Sequence, residues 1–237
     1  MPVRVLLCLL AALAAPLPAL AQVGHPPGES PYRGIVDGHS ITPQVGYLGG
    51  SGGKFGAGPH GGLTYGFRYD LRAGRTTQLG VGVGRAMTER IIVDPFVRLD
   101  ERFSAPVEQA LTTVDVHAQL NLTGGKTWNG LAPFAALGVG LAFGEATPAD
   151  TSGYNFGTKI FIAPAAGVRW FLTPALHLRA DVRGVFWRLN YPSSYAAEPV
   201  EEPGTPEEPN AVIPEGSLNE WTLTPWLQLG VGYVFRW

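Results

Sequence analysis

From Trp221 to Trp237 every odd position carries an apolar side chain: Trp221, Leu223, Pro225, Leu227, Leu229, Val231, Tyr233, Phe235 and Trp237. The positions between them hold Thr222, Thr224, Trp226, Gln228, Gly230, Gly232, Val234 and Arg236. Successive side chains of a β-strand point to opposite faces, so a period of two held this long specifies a single strand with one oily face. Strands of soluble domains usually run about five or six residues. A strand tilted by about 45° crosses a bilayer in about 9–11 residues, and the stretch from Pro225 to Phe235 has that length.

The same alternation recurs along the chain and predicts eight strands, at about 40–49, 60–72, 76–86, 110–122, 131–143, 158–171, 175–189 and 219–237. Leu63, Tyr65, Phe67, Tyr69 and Leu71 share one face of the second, with Thr64, Gly66, Arg68, Asp70 and Arg72 on the other. The fourth sets Val114, Val116, Ala118, Leu120 and Leu122 against Thr113, Asp115, His117, Gln119 and Asn121. Small residues crowd the second face of the third strand (Gly80, Gly82, Gly84) and of the fifth (Ala136, Gly138, Gly140). The seventh sets Leu176, Leu178, Ala180, Val182 and Phe186 against His177, Arg179, Asp181 and Arg183.

Alternation does not say which face looks inward. In a soluble barrel of the lipocalin kind the apolar rows would point in and the charged rows would meet water. Here the polar rows are mostly Gly, Ala and Thr with a few charges of mixed sign, a poor solvent surface and a workable filling for a narrow lumen. Connection lengths add an independent argument. Segments 50–59, 87–109, 144–157 and 190–218 are long, whereas 73–75, 123–130 and 173–174 are short. Short periplasmic turns and longer external loops mark outer-membrane barrels. The expected fold is therefore all-β, an eight-stranded antiparallel up-and-down transmembrane β-barrel. Unpaired backbone groups in hydrocarbon cost several kcal/mol each, which requires the first strand to pair with the eighth.

Residues 1–21, MPVRVLLCLLAALAAPLPALA, have a basic start, an apolar stretch and a small-x-small ending. They read as a secretory signal peptide, with residues 22–38 as a short periplasmic tail and 39–237 as the barrel. Cys8, the only cysteine, lies inside the signal, which leaves the exported chain without a disulfide framework or thiolate metal site. Charged residues are 15% of the chain, against roughly 25% in soluble proteins. A net charge of −2 supplies no basic field for nucleic acid.

On these features the chain resembles the eight-stranded outer-membrane β-barrels, the group that includes the OmpA-type transmembrane domain and the OmpX-like and OmpW-like proteins. In that family a terminal aromatic with aromatic or apolar residues two and four places before it is the signal read by the outer-membrane assembly machinery. Trp237, Phe235 and Tyr233 match it. The resemblance implies outer-membrane lipids, periplasmic chaperones and that machinery as partners. An OmpA-like peptidoglycan-binding domain after the barrel is not expected.

Chemistry beyond scaffolding would lie in the lumen. Arg68, Asp70, Asp115, His117, Arg169, Arg179, Asp181, Arg183 and Arg236 share the inward parity, and ions confined there must be paired or hydrated. A salt-bridged plug is the expected arrangement, because an eight-stranded barrel leaves an interior that side chains just fill; a narrow channel for small or hydrophobic solutes is the alternative. Asp115 and His117 could orient an imidazole for base catalysis, and lipid-modifying enzymes exist in this fold. No serine lies near them in the inward rows, and no catalytic residue, metal or cofactor is assigned. Residues 191–218, with six glutamates and no basic residue, read as an extended, disordered external loop and a surface for an extracellular partner. The stretch GGSGGKFGAGPHGG lacks the ending of a phosphate loop and reads as a flexible one. The expected role is non-enzymatic, in envelope structure or surface interaction.

Overall fold

A computed structural model of the chain describes residues 30–35, 38–148 and 150–235. The signal peptide at 1–21, most of the tail, and the positions Arg236 and Trp237 lie outside the described residues. The strands are β1 (Tyr32–Gly34), β2 (His39–Ser51), β3 (His60–Arg72), β4 (Thr77–Arg90), β5 (Val107–Asn121), β6 (Lys126–Trp128), β7 (Leu131–Gly144), β8 (Thr158–Phe171), β9 (Leu176–Asn190) and β10 (Asn219–Phe235).

Eight of these close into an antiparallel barrel in the order β2, β3, β4, β5, β7, β8, β9, β10. Closure is made by β10 on β2, from Trp226 opposite Leu48 to Phe235 opposite His39. That ladder begins just after Pro225, which has no N–H to give it. No sheet edge is left along the cylinder, as a hydrocarbon surrounding demands.

The parity of the rows is unambiguous. Apolar side chains point out all round the cylinder, with Leu63 70%, Ile160 69% and Val45 62% exposed. A soluble monomer rarely carries a contiguous apolar patch beyond a few hundred Å², and a surface of this kind suits lipid tails. Trp170 near the short-turn end and Phe143, Phe186 and Trp221 near the long-loop end are among the outward aromatics.

Two segments outside the barrel strands carry order, and for residues 191–218 this corrects the expectation of a disordered loop. Part of the tail is ordered: β1 pairs with β6, Tyr32 opposite Trp128 and Gly34 opposite Lys126, and Ile35 is buried with its N–H on the Gly125 carbonyl. Three residues suffice because β6, in the β5–β7 turn, offers them an open edge. Residues 191–218 are folded too, carrying a 3₁₀ turn at Ser193–Ala196 and burying Tyr191, Tyr195, Ala211 and Ile213. Their glutamates do not simply repel one another. Glu198 accepts backbone N–H groups from Gly204 (2.8 Å), Asn210 (3.0 Å) and Ala211 (3.3 Å), which clasps the loop around one carboxylate.

Candidate functional site

The inward rows divide into two layers, and β9 shows the division in one reading: His177, Arg179, Asp181 and Arg183 are followed by Val185, Trp187 and Leu189, all buried. On the short-turn side the lumen is charged. Asp115 accepts Arg183 Nη2 at 2.9 Å and Nη1 at 3.2 Å, and its Oδ1 lies 3.1 Å from His117 Nδ1. His117 Nε2 is 2.7 Å from Asp70 Oδ1. Arg179 Nε donates to Asp181 at 2.7 Å and Nη1 to Gln119 at 2.8 Å, while Arg169 Nη2 donates to Asn121 at 2.7 Å. Arg179 also sits over the Phe134 ring, 4.2 Å from its centroid.

Glycines make this density of charge sterically feasible. A Cβ at Gly80 would lie 2.5 Å from Asp70 Oδ1 and from His117 Nε2, and one at Gly82 2.7 Å from Asp115 Oδ2. The small residues crowding the inward face of β4 are therefore the space into which the ions fit.

Above the ions the lumen is apolar. Leu48, Leu111, Phe161, Val185, Trp187 and Trp226 form one buried cluster with the loop residues Val93, Tyr154, Phe156, Tyr191, Tyr195 and Ile213. Phe156 meets Trp187 edge to face at 5.4 Å, and Tyr191 stacks on Tyr195 at 5.7 Å. Under this cap the Arg90 guanidinium is paired with Asp150 at 2.5 Å, both side chains 2% exposed, and it lies 5.3 Å from the Tyr154 ring centre. Burial raises the Tyr154 and Tyr191 hydroxyls and pushes Tyr195 up to about 12. The backbone donors from Gly204, Asn210 and Ala211 hold Glu198 below the usual carboxylate range.

Of the sequence-derived lumen residues, Arg68, Asp70, Asp115, His117, Arg169, Arg179, Asp181 and Arg183 are all buried inside the cylinder, and Arg236 lies outside the described residues. Asp115 and His117 do come together, within a chain of ions that occupies both ring nitrogens. Tyr233 faces outward at 57% exposure, and Phe235 stacks on His39 with ring centres 5.9 Å apart. The apolar upper layer and the Arg90–Asp150 pair escaped the sequence reading. The first was present in the same parity, had the β9 row been followed past Arg183.

Neisserial surface protein A (NspA) superposes on this chain with a TM-score of 0.51 and 13% identity, covering 87% of the chain and 98% of NspA. The chain has the fold of an eight-stranded outer-membrane barrel. OprG from Pseudomonas aeruginosa (TM-score 0.49, 14% identity, 86% of this chain and 99% of that one) is also similar. So is the N-terminal barrel domain of Pseudomonas aeruginosa OprF (0.46, 14%, 86% and 100%). No protein-family model and no curated protein matches the chain.

Proposed function

We propose that this chain is an integral outer-membrane barrel with a non-enzymatic role, a plugged scaffold that displays a folded acidic cap at the cell surface. The observation that carries the reading is the cap. Its four loops are built as one body on the apolar upper lumen rather than hanging as separate strands of coil. Segments 52–59, 91–106, 145–157 and 191–218 contain eleven carboxylates and three basic side chains, a net of −8 in a chain whose total is −2. Phe96, Leu99, Phe103 and Val200 are exposed on the same loops. A surface that is acidic with apolar points suits a cationic, amphipathic partner.

The lumen argues against the channel reading, since Trp187, Trp226 and Phe161 fill it across the upper layer. The contacts of His117 argue against a lipid-modifying enzyme, because its nitrogens face carboxylates rather than a hydroxyl nucleophile. Purified protein in lipid vesicles should bind a cationic polypeptide, with affinity falling at least tenfold when Glu201, Glu202, Glu207 and Glu208 are changed to Gln. Equal binding by both forms would remove the surface role.

A further inference from the structure

The lower lumen holds more positive charge than its carboxylates can pair. Four guanidinium groups, on Arg68, Arg169, Arg179 and Arg183, face three carboxylates, on Asp70, Asp115 and Asp181, and none of the seven residues is more than 4% exposed. The carboxylates are engaged elsewhere: Asp115 with Arg183 and His117, Asp70 with His117, Asp181 with Arg179. Arg169 has Asn121 as acceptor and the Phe171 ring 5.3 Å away.

Two guanidiniums, Arg68 and Arg169, are left without a carboxylate among the described residues, and of the two Arg68 also lacks a neutral acceptor there. It is 1% exposed, and its Nε and Nη2 are buried without a hydrogen-bond partner among the described residues. Arg179 and Arg183 repel it, Asp70 and Asp181 attract it, and no carboxylate among the described residues lies within salt-bridge distance. A guanidinium cannot shed its proton to escape this position. Water can solvate it there but cannot cancel its charge, and an uncompensated buried ion is among the most costly features a fold can carry.

The neighbouring strand supplies the next donor of a binding site. Thr42, the register partner of Arg68 on β2, faces inward at 0% exposure, and its hydroxyl has no partner among the described residues. Arg179 Nη2 is likewise buried without one. The space is tight: a Cβ on Gly230 would lie 2.7 Å from Thr42 Cγ2. Trp226 and Phe161 close the lumen above. We infer that the lumen binds one small inorganic anion of chloride size, held by Arg68 Nε and Nη2, the Thr42 hydroxyl and Arg179 Nη2, and enclosed as the barrel closes.

Refolding from urea into detergent in sodium bromide, followed by crystallisation and diffraction at the bromine edge, tests this without needing a route into the closed barrel. The expected result is an anomalous peak inside the lumen against the Arg68 guanidinium. In Arg68→Met that peak should vanish while surface bromide peaks persist, and in Thr42→Val it should weaken. A wild-type lumen holding only water at Arg68, or a lumen peak that survives in Arg68→Met, overturns the proposal. The wild-type crystal decides the matter even where a variant fails to fold.

Discussion

Asp115 touches more partners than any other lumen carboxylate, holding both Arg183 amino groups and His117 at once. Removing its charge strands a buried guanidinium, and breaking such a pair from one side costs about 3–5 kcal/mol. Asp115→Asn should therefore lower stability by about that amount in urea titrations of protein folded in lipid vesicles. Replacing Asp115 and Arg183 together with Leu should cost much less, because no ion is left without its partner. The glycines give a second check at this scale. A Cβ on Gly140 would sit 2.4 Å from the Val114 carbonyl oxygen and 2.5 Å from Phe161 Cζ, whereas one on Gly74 meets nothing within 4 Å. Gly140→Ala should reduce the yield of folded, heat-modifiable barrel on electrophoresis, and Gly74→Ala should leave it unchanged.

At the scale of elements, the strands were legible because a period of two was sustained over 13 to 17 residues in each barrel strand. That signal is local and survives without knowledge of neighbours. The loop at 191–218 was not legible, because its order comes from contacts that composition cannot display: Ile213 N–H on the Tyr195 carbonyl at 2.7 Å, Arg102 on the Asn210 carbonyl at 2.7 Å, and three backbone donors on Glu198. Proline and glutamate content alone suggests mutual repulsion, whereas one of those glutamates is the clasp. Glu198 is held below its ordinary carboxylate value of 4.5, so its contribution to loop order is complete above that value and is lost as pH falls through the lower folded one. Amide exchange at Gly204, Asn210 and Ala211, corrected for intrinsic rates, should therefore accelerate only in acid well below pH 4.5. Glu198→Gln should show the faster exchange already at neutral pH. Unchanged protection in that variant would mean that the tyrosine stack alone orders the loop.

Across the whole molecule, charge is segregated along the barrel axis. The long-loop segments carry the net −8, while Arg33, Arg72, Arg75 and Lys126 gather at the other end beside β1 and β6. Between them the lumen is charged below and apolar above, and the side chains of Trp187 and Trp226 are almost fully buried there. Planar bilayers containing the purified barrel should accordingly stay electrically silent, and stepwise conductance would show that the upper layer opens. The charged half of the plug was readable from parity because Arg and Asp stand out among Gly and Thr. Its apolar half was harder to see, since Val185, Trp187 and Leu189 alternate with the outward Phe186 and blur the period of two.

The central claim is that the oily rows meet acyl chains and the charged rows face the enclosed lumen. Spin labels at Leu227, Val231 and Val116, read against labels at loop positions Glu207 and Glu215, test it in vesicles. The outward strand labels should be relaxed by dissolved oxygen and shielded from a water-soluble nickel complex, with the loop labels showing the reverse. Strand labels relaxed by nickel as strongly as those on the loops would contradict the account.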